Sequence, residues 1–266
     1  MKDLIISNLP ASYPWQGNLY YFNTIDSTNT RAKQMAAEGA PHGTVLIADR
    51  QTGGRGRMGR SFHSPSGVGI YLSMLLRPGC PAKELMHLTC AAAVAAADGI
   101  QAATGLRPGI KWTNDLVAGR KKLGGILTEL SLDSRGNVEY AVVGIGINCN
   151  QGAADFPEEI KQIATSLQLV TGKVIDHSAV IAQLLVALQN MSEHLQAPAA
   201  TLERYRADCI TIGQEISVVR GDEVRHGKAL EVDSEGALMV AFDDGTRQTV
   251  QSGEVSVRGM YGYISY

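Results

Sequence analysis

The sequence predicts an α+β protein: a mixed, largely antiparallel sheet with helices packed on it, followed by a small SH3-like β-barrel. Three observations lead there. Apolar runs with β-branched members alternate with helical periodicity in the first part of the chain, and a strand–turn–strand pattern runs from Ile110 to Asn148. From Gly213 the texture changes to short alternating strands separated by Gly- and Asp-containing turns. The chain therefore divides into a larger domain, residues 1–212, and a smaller one, residues 213–266.

Residues 19–22 form a first short strand, and Asp26 or Ser27 caps a helix that runs to Gly39. Thr44–Asp49 is nearly continuously apolar, as an interior strand should be, and a Gly/Arg-rich loop leaves its carboxyl end. Gly69–Arg77 is another strand, and an alanine-rich helix is expected from about Ala82 to Ala103. Ile110 begins a strand that passes through Thr113-Asn-Asp115; a turn at Ala118-Gly119-Arg120 returns the chain through Lys122–Leu132. Tyr140–Asn148 completes a meander expected at the centre of the domain. The spacing of Val180, Leu184, Leu185 and Leu188, and the segment Leu202–Cys209, predict two helices across the sheet. Five strands follow: Glu215–Arg220, Val224–Val232, Ala237–Phe242, Arg247–Gln251 and Val255–Arg258.

With 266 residues, 44% of them hydrophobic, the chain can bury a substantial core. A formal net charge of −2 offers no global attraction to a polyanion, which disfavours duplex binding. The amino terminus lacks a signal-peptide pattern and Ala91–Ala97 is too short to span a bilayer, so a soluble cytoplasmic protein is expected, with no membrane partner. Cysteines at 80, 90, 149 and 209 form no CxxC pair and no metal-ligand spacing; buried free thiols are expected, and no metal site is assigned.

Chemistry concentrates at Gly53-Gly-Arg-Gly-Arg-Met-Gly-Arg60. Glycines here let successive amides turn toward a ligand, and Arg55, Arg57 and Arg60 supply permanently charged planar forks for phosphate or carboxylate. Gly54-x-Gly-x-x-Gly59 formally matches a dinucleotide fingerprint, but Pro65 and Gly67 oppose the helix that fingerprint needs. Ser27-Thr28-Asn29 at a helix start either simply caps the helix or also holds a polar ligand group. Gln51 adds an amide that donates and accepts. Period-two alternation puts Lys122, Gly124 and Ile126 on one face, a cation beside bare backbone and an apolar wall, suited to an apolar acid. Asp115 is a turn former, a ribose acceptor or a magnesium ligand. The glycines of Gly144-Ile-Gly-Ile-Asn148 serve sheet packing or leave room for a ligand, whose adenine edge Asn148 would read.

Taken together, and in order, these segments resemble the catalytic region of biotin protein ligases: Ser27-Thr-Asn29, Gln51 through Arg60, Ser64-Pro65, Lys111-Trp-Thr-Asn-Asp115, Lys122-Leu-Gly-Gly-Ile-Leu127 and Gly144–Asn148, then the small barrel. The resemblance implies a fold akin to class II aminoacyl-tRNA synthetases. It also implies ATP-dependent conversion of biotin to biotinyl-5′-adenylate, and transfer to a lysine of a biotin carboxyl carrier domain. It places Ser27, Thr28, Asn29, Gln51, Gly124 and Gly125 on biotin, with Arg55, Gly56 and Arg57 closing over its carboxylate. Lys122, with Arg57 and Lys111, is implied as catalytic; Arg57, Arg60, Lys111, Asn114, Asp115 and Asn148 face ATP, with Mg²⁺ on the phosphates. Thr113 and Phe62 stand where the family often has proline and tryptophan. Only about eighteen residues precede the first strand, so no operator binding is expected; the protein is a monomer or homodimer. A lipoate or octanoate ligase, or a non-catalytic sensor of the same fold, remains an alternative.

Overall fold

A computed structural model describes residues 1–251 and 256–258. Strands β1 (Leu19–Ile25), β2 (Thr44–Gln51), β3 (Gly69–Leu76), β4 (Gly109–Lys111), β5 (Asp115–Ala118), β6 (Lys121–Leu132) and β7 (Val138–Asn148) form one sheet in the order β1-β2-β3-β7-β6-β5-β4. β1 and β2 run parallel, joined by helix α2 (Thr28–Ala37); every other neighbouring pair is antiparallel. Every residue of β3 is buried, which explains why Gly69–Leu76 reads as an apolar run broken only by Ser73. The meander β4–β7 is present, but it makes one half of the sheet, with β7 central and β4 at the edge. The chain reverses at residues 112–114, so the expected single strand through Thr113 is in fact two strands, β4 and β5.

Helix α1 (Lys2–Asn8) precedes β1 and went unanticipated; it is too short for periodicity to show, and it docks through the fully buried Ile5. The expected helix from Ala82 is broken. Ala82–Leu85 winds as a 3₁₀ turn and α3 proper is Leu88–Thr104. Leu85 and Leu88, three residues apart across this change of winding, are both buried. α3 is apolar and long enough, with the preceding turn, to pass a length-and-hydropathy test for a membrane span, yet 72% of that window is buried against the protein. Short segments α4 (Glu158–Lys161) and α5 (Leu167–Thr171) lead to α6 (His177–Glu193) and α7 (Ala199–Asp208). α6 packs on α3 so closely that a Cβ on Gly99 would sit 2.8 Å from the Leu184 Cα. The four cysteines are free and buried, and burial raises the Cys90 and Cys149 thiols to about 12.

The second sheet comprises β8 (Glu215–Arg220), β9 (Glu223–Val232), β10 (Leu238–Phe242), β11 (Arg247–Val250) and β12 (Ser256–Arg258), ordered β11-β10-β9-β8-β12. Val255, where the fifth strand was expected to start, and residues 259–266 lie outside the described residues. This sheet is bonded to the first region: Trp112 Nε1 donates to the Gly236 carbonyl at 2.9 Å, and Arg206 Nε to that of Val232 at 2.6 Å.

Candidate active site

A cavity of about 640 Å³ opens between the start of α2, the loop after β2, the β4–β5 turn, β6, β7 and residues 156–164. Its chemistry differs from one end to the other.

At the α2 end a chain of hydrogen bonds fixes the polar groups. Ser27 Oγ accepts from the Thr30 amide, so it does cap the helix, and it lines the cavity as well. Gln51 Oε1 accepts from the amide and hydroxyl of Thr28 at 2.9 and 3.1 Å, and its Nε2 donates to Ser64 Oγ at 3.0 Å. Beneath them Ser73 Oγ, fully buried on β3, lies 2.7 Å from Thr28 Oγ1 and 2.6 Å from Asn29 Oδ1. Asn29 Nδ2 donates to the Leu127 carbonyl at 3.2 Å and to Glu129 Oε2 at 2.9 Å. The small residues of β7 make this possible by close approach. A Cβ on Gly144 would fall 2.0 Å from Asn29 Oδ1, and one on Gly146 would fall 2.6 Å from the Phe62 ring.

At the other end Lys122 Nζ donates to Asp115 Oδ1 at 2.7 Å, and Lys111 is buried. Arg57 Nη1 donates to Asn114 Oδ1 at 3.0 Å. Burial pulls the Arg57 guanidinium below its ordinary pKa and the Asp115 carboxylate opposes this; guanidinium remains charged in any protein setting. Asn114 is itself held, its Nδ2 donating to the Ile126 carbonyl while the Ile126 amide donates to the Asn114 main-chain carbonyl, both at 2.9 Å. Tyr205 OH reaches the Thr113 carbonyl from below at 3.1 Å. The main chain of Lys122 is clamped by residues 163–165: its amide donates to the Ile163 carbonyl and its carbonyl accepts from Thr165. Asn148 Nδ2 is committed to the Thr165 carbonyl at 2.9 Å.

Of the residues singled out from sequence, Ser27, Thr28, Asn29, Gln51, Arg55, Gly56, Arg57, Arg60, Lys111, Asn114, Asp115, Lys122, Gly125 and Asn148 all line this cavity, and Gly124 does not. The cause is a bulge. Val117 pairs with Lys122 and Leu116 with Gly124, leaving Leu123 extra, so the alternation shifts and Gly125, not Gly124, shares the face of Lys122. A Cβ on Gly125 would lie 3.5 Å from Lys122 Nζ.

The loop also departs from expectation. The amides of Gly53 and Gly56 do not point at a ligand; they donate to the carbonyls of Asp26 and Arg60 at 2.8 and 2.7 Å. Glycine here serves close packing instead, since a Cβ on Gly54 would lie 2.4 Å from the Phe62 carbonyl oxygen. No helix starts at Gly59, so the dinucleotide fingerprint is formal only. Sequence reading missed Ser73, Glu129 and the wall from Phe156 to Ala164. Ser73 carried a signal, being a lone hydroxyl inside an otherwise apolar strand. Among the described residues, no group of three or more His, Cys, Asp or Glu side chains is arranged to hold a metal.

Residues 21–148 match the Biotin/lipoate A/B protein ligase family, and residues 211–258 match the Biotin protein ligase C terminal domain. Fold and site thus define a protein ligase of the biotin and lipoate class. The chain is 39% identical to the bifunctional ligase/repressor BirA of Bacillus spizizenii, over 87% of this chain and 71% of that protein. It is 34% identical to the biotin--[acetyl-CoA-carboxylase] ligase of Mycobacterium tuberculosis, over 85% of this chain and 83% of that one. The solved biotin protein ligase from Aquifex aeolicus in complex with biotin and ATP superposes with a TM-score of 0.77 at 32% identity, covering 91% of this chain and 98% of that chain. Within the class, this chain belongs to the biotin protein ligases.

Proposed function

We propose that the chain activates biotin with ATP and transfers the biotinyl group to a lysine of a biotin carboxyl carrier domain. The observation that carries this reading is one cavity with two chemically distinct ends, a neutral array of hydrogen-bonding groups at one and a cluster of cations at the other. The reading is supported by the relatives' common activity and by the ligands of the Aquifex structure.

In this mechanism the Thr28–Gln51–Ser73 network orients the polar head of biotin, and Ile126 and Leu127 wall its apolar part. The carboxylate lies between Arg55, Arg57 and Lys122. A carboxylate oxygen attacks the α-phosphorus of ATP and pyrophosphate leaves, giving the mixed anhydride. Lys122, released from Asp115, donates to the developing charge on the reacting oxygens, while Arg57 and Lys111 neutralise the phosphate. Arg60, Asn114 and Asn148 complete the nucleotide side. The acceptor amine then attacks the acyl carbon, AMP departs and the amine loses a proton. Water would destroy the anhydride, so the loop over residues 53–60 stays closed until the acceptor arrives. Among the described residues no cluster of three or more His, Cys, Asp or Glu would cage a metal. Mg²⁺ would be carried by the phosphates of ATP and would neutralise them, with Asp115 as the carboxylate beside Lys122.

Residues 1–212 form the ligase domain and residues 213–266 an SH3-like domain in this reading. The protein works in the cytoplasm as a monomer or homodimer, and its net charge of −2 argues against DNA as a partner of this chain. ATP-dependent labelling of a biotin carrier domain, with mass spectrometry of the modified lysine, tests the whole. Labelling by lipoate in preference to biotin would overturn it.

A further inference from the structure

Two arginine side chains tie the loop to the strands and turn around it, one toward each end of the cavity. Arg57 Nη1 reaches Asn114 Oδ1 at 3.0 Å, beside Lys122 and Asp115. Arg55, at the stem where it bridges to Ser61, places Nη1 3.4 Å from Glu129 Oε1. Glu129 projects from β6 and gathers three elements. It accepts from Lys33 of α2 at 2.7 Å and from Asn29 at 2.9 Å, and it faces Arg55 of the loop.

Both ends of the Asn29 amide are engaged: Oδ1 meets Ser73, and Nδ2 donates to Leu127 and Glu129. Its amide therefore has one orientation, set partly by Glu129. Arg55 and Glu129 differ in how firmly they are fixed, with side chains 46% and 20% exposed. A half-exposed pair at this distance is a weak tether, one whose loss corresponds to about a two- to five-fold effect.

We propose that Glu129 is a positioning residue of the end that holds the polar head, fixing the Asn29 amide and holding the loop stem down through Arg55, so that the stem as well as Arg57 fastens the loop. The inference rests on the ligase reading above and adds to it a residue that touches neither biotin nor ATP.

The test is a double-mutant cycle on the escape rate of biotinyl-adenylate from its complex with the full chain, using Glu129→Gln, Arg55→Ala and the pair together. Each single change should speed escape about two- to five-fold, and the double should fall clearly short of the product of the two singles. Lys33→Met removes a Glu129 partner outside the loop and should leave escape within about two-fold of the parent. Fully multiplicative effects, or an unchanged escape rate in Glu129→Gln, would overturn the proposal. Trypsin cleavage after Arg55 or Arg57 in the ligand-free protein is read in parallel and should be faster in Glu129→Gln; equal cleavage counts against the tether. If the parent forms no adenylate, the ligase reading fails, and the proteolysis arm still decides the tether.

Discussion

Lys122 and Asp115 face each other across a β-bulge, Nζ to Oδ1 at 2.7 Å, so the lysine most exposed to the centre of the cavity is already neutralised by a partner. That pairing keeps a cation in place at modest electrostatic cost and leaves it one rotamer change from an incoming anion. In the proposed mechanism Lys122 is therefore the group whose loss is felt at the reacting atoms.

Lys122→Ala is expected to slow adenylate formation by about two to three orders of magnitude, the range for removing a charge-stabilising donor. Pyrophosphate release from the purified variant measures this. An unchanged rate removes Lys122 from the chemistry.

Arg57 should matter after the chemical step. Its bond to Asn114 ties the loop to the β4–β5 turn, and a hydrogen bond to a charged group is worth enough that Arg57→Ala should raise adenylate escape about tenfold. Equal escape rates for variant and parent would count against the latch.

Gly144 has no room for a methyl group, because its Cβ would fall 2.0 Å from Asn29 Oδ1. Gly144→Ala must push Asn29 aside, at a cost of about 1–3 kcal/mol, and the KM for biotin should rise about tenfold while that for ATP moves less. Steady-state kinetics with each substrate varied separates the two. A matched rise in both constants would argue for general unfolding.

Trp112 joins the sheets through Gly236. Trp112→Phe removes that hydrogen bond, worth about 1 kcal/mol, and should lower Tm by roughly 2–4 °C from the bond alone. Calorimetry on the full chain checks it; an unchanged Tm means the contact is not formed in solution.

Burial by itself would raise the pKa of Glu129, but hydrogen bonds from Lys33 and Asn29 and the charges of Lys33 and Arg55 outweigh it and hold the carboxyl below its ordinary value. A folded-state pKa lower than the unfolded one adds stability above the unfolded value of about 4.3, and that stability is lost as pH falls through the folded value. The stability gap between parent and Glu129→Gln should therefore be flat from pH 8 to about pH 5 and narrow only in stronger acid. Urea denaturation across that range would expose any change near neutrality, which this ionisation does not produce.

Much of this protein lay open in the one-dimensional pattern. Fully buried β3 announced itself as an apolar run, Ser27 as a cap, and the second sheet as short strands between turns. The cations of the site were legible because arginine and lysine beside glycine have few uses in a core. What the pattern could not show was position across the sheet. The bulge at Leu123 took Gly124 off the cavity face, since a period-two count fails wherever one extra residue enters; Gly125, which the family resemblance had also named, and Ile126 do line the cavity. The glycine amides of the loop bonded inward for a similar reason, because their partners at Asp26 and Arg60 depend on how the loop folds back. Glu129, Ser73 and Asn29 are 44 to 100 residues apart in pairs that meet through α2, β3 and β6. The sequence by itself determined most of the elements and the inventory of charge, though not α1, the break before α3 or the β4–β5 reversal. Only the tertiary structure decided which side chains share a cavity, because strand order and register are settled by contacts between distant segments and not by any local preference.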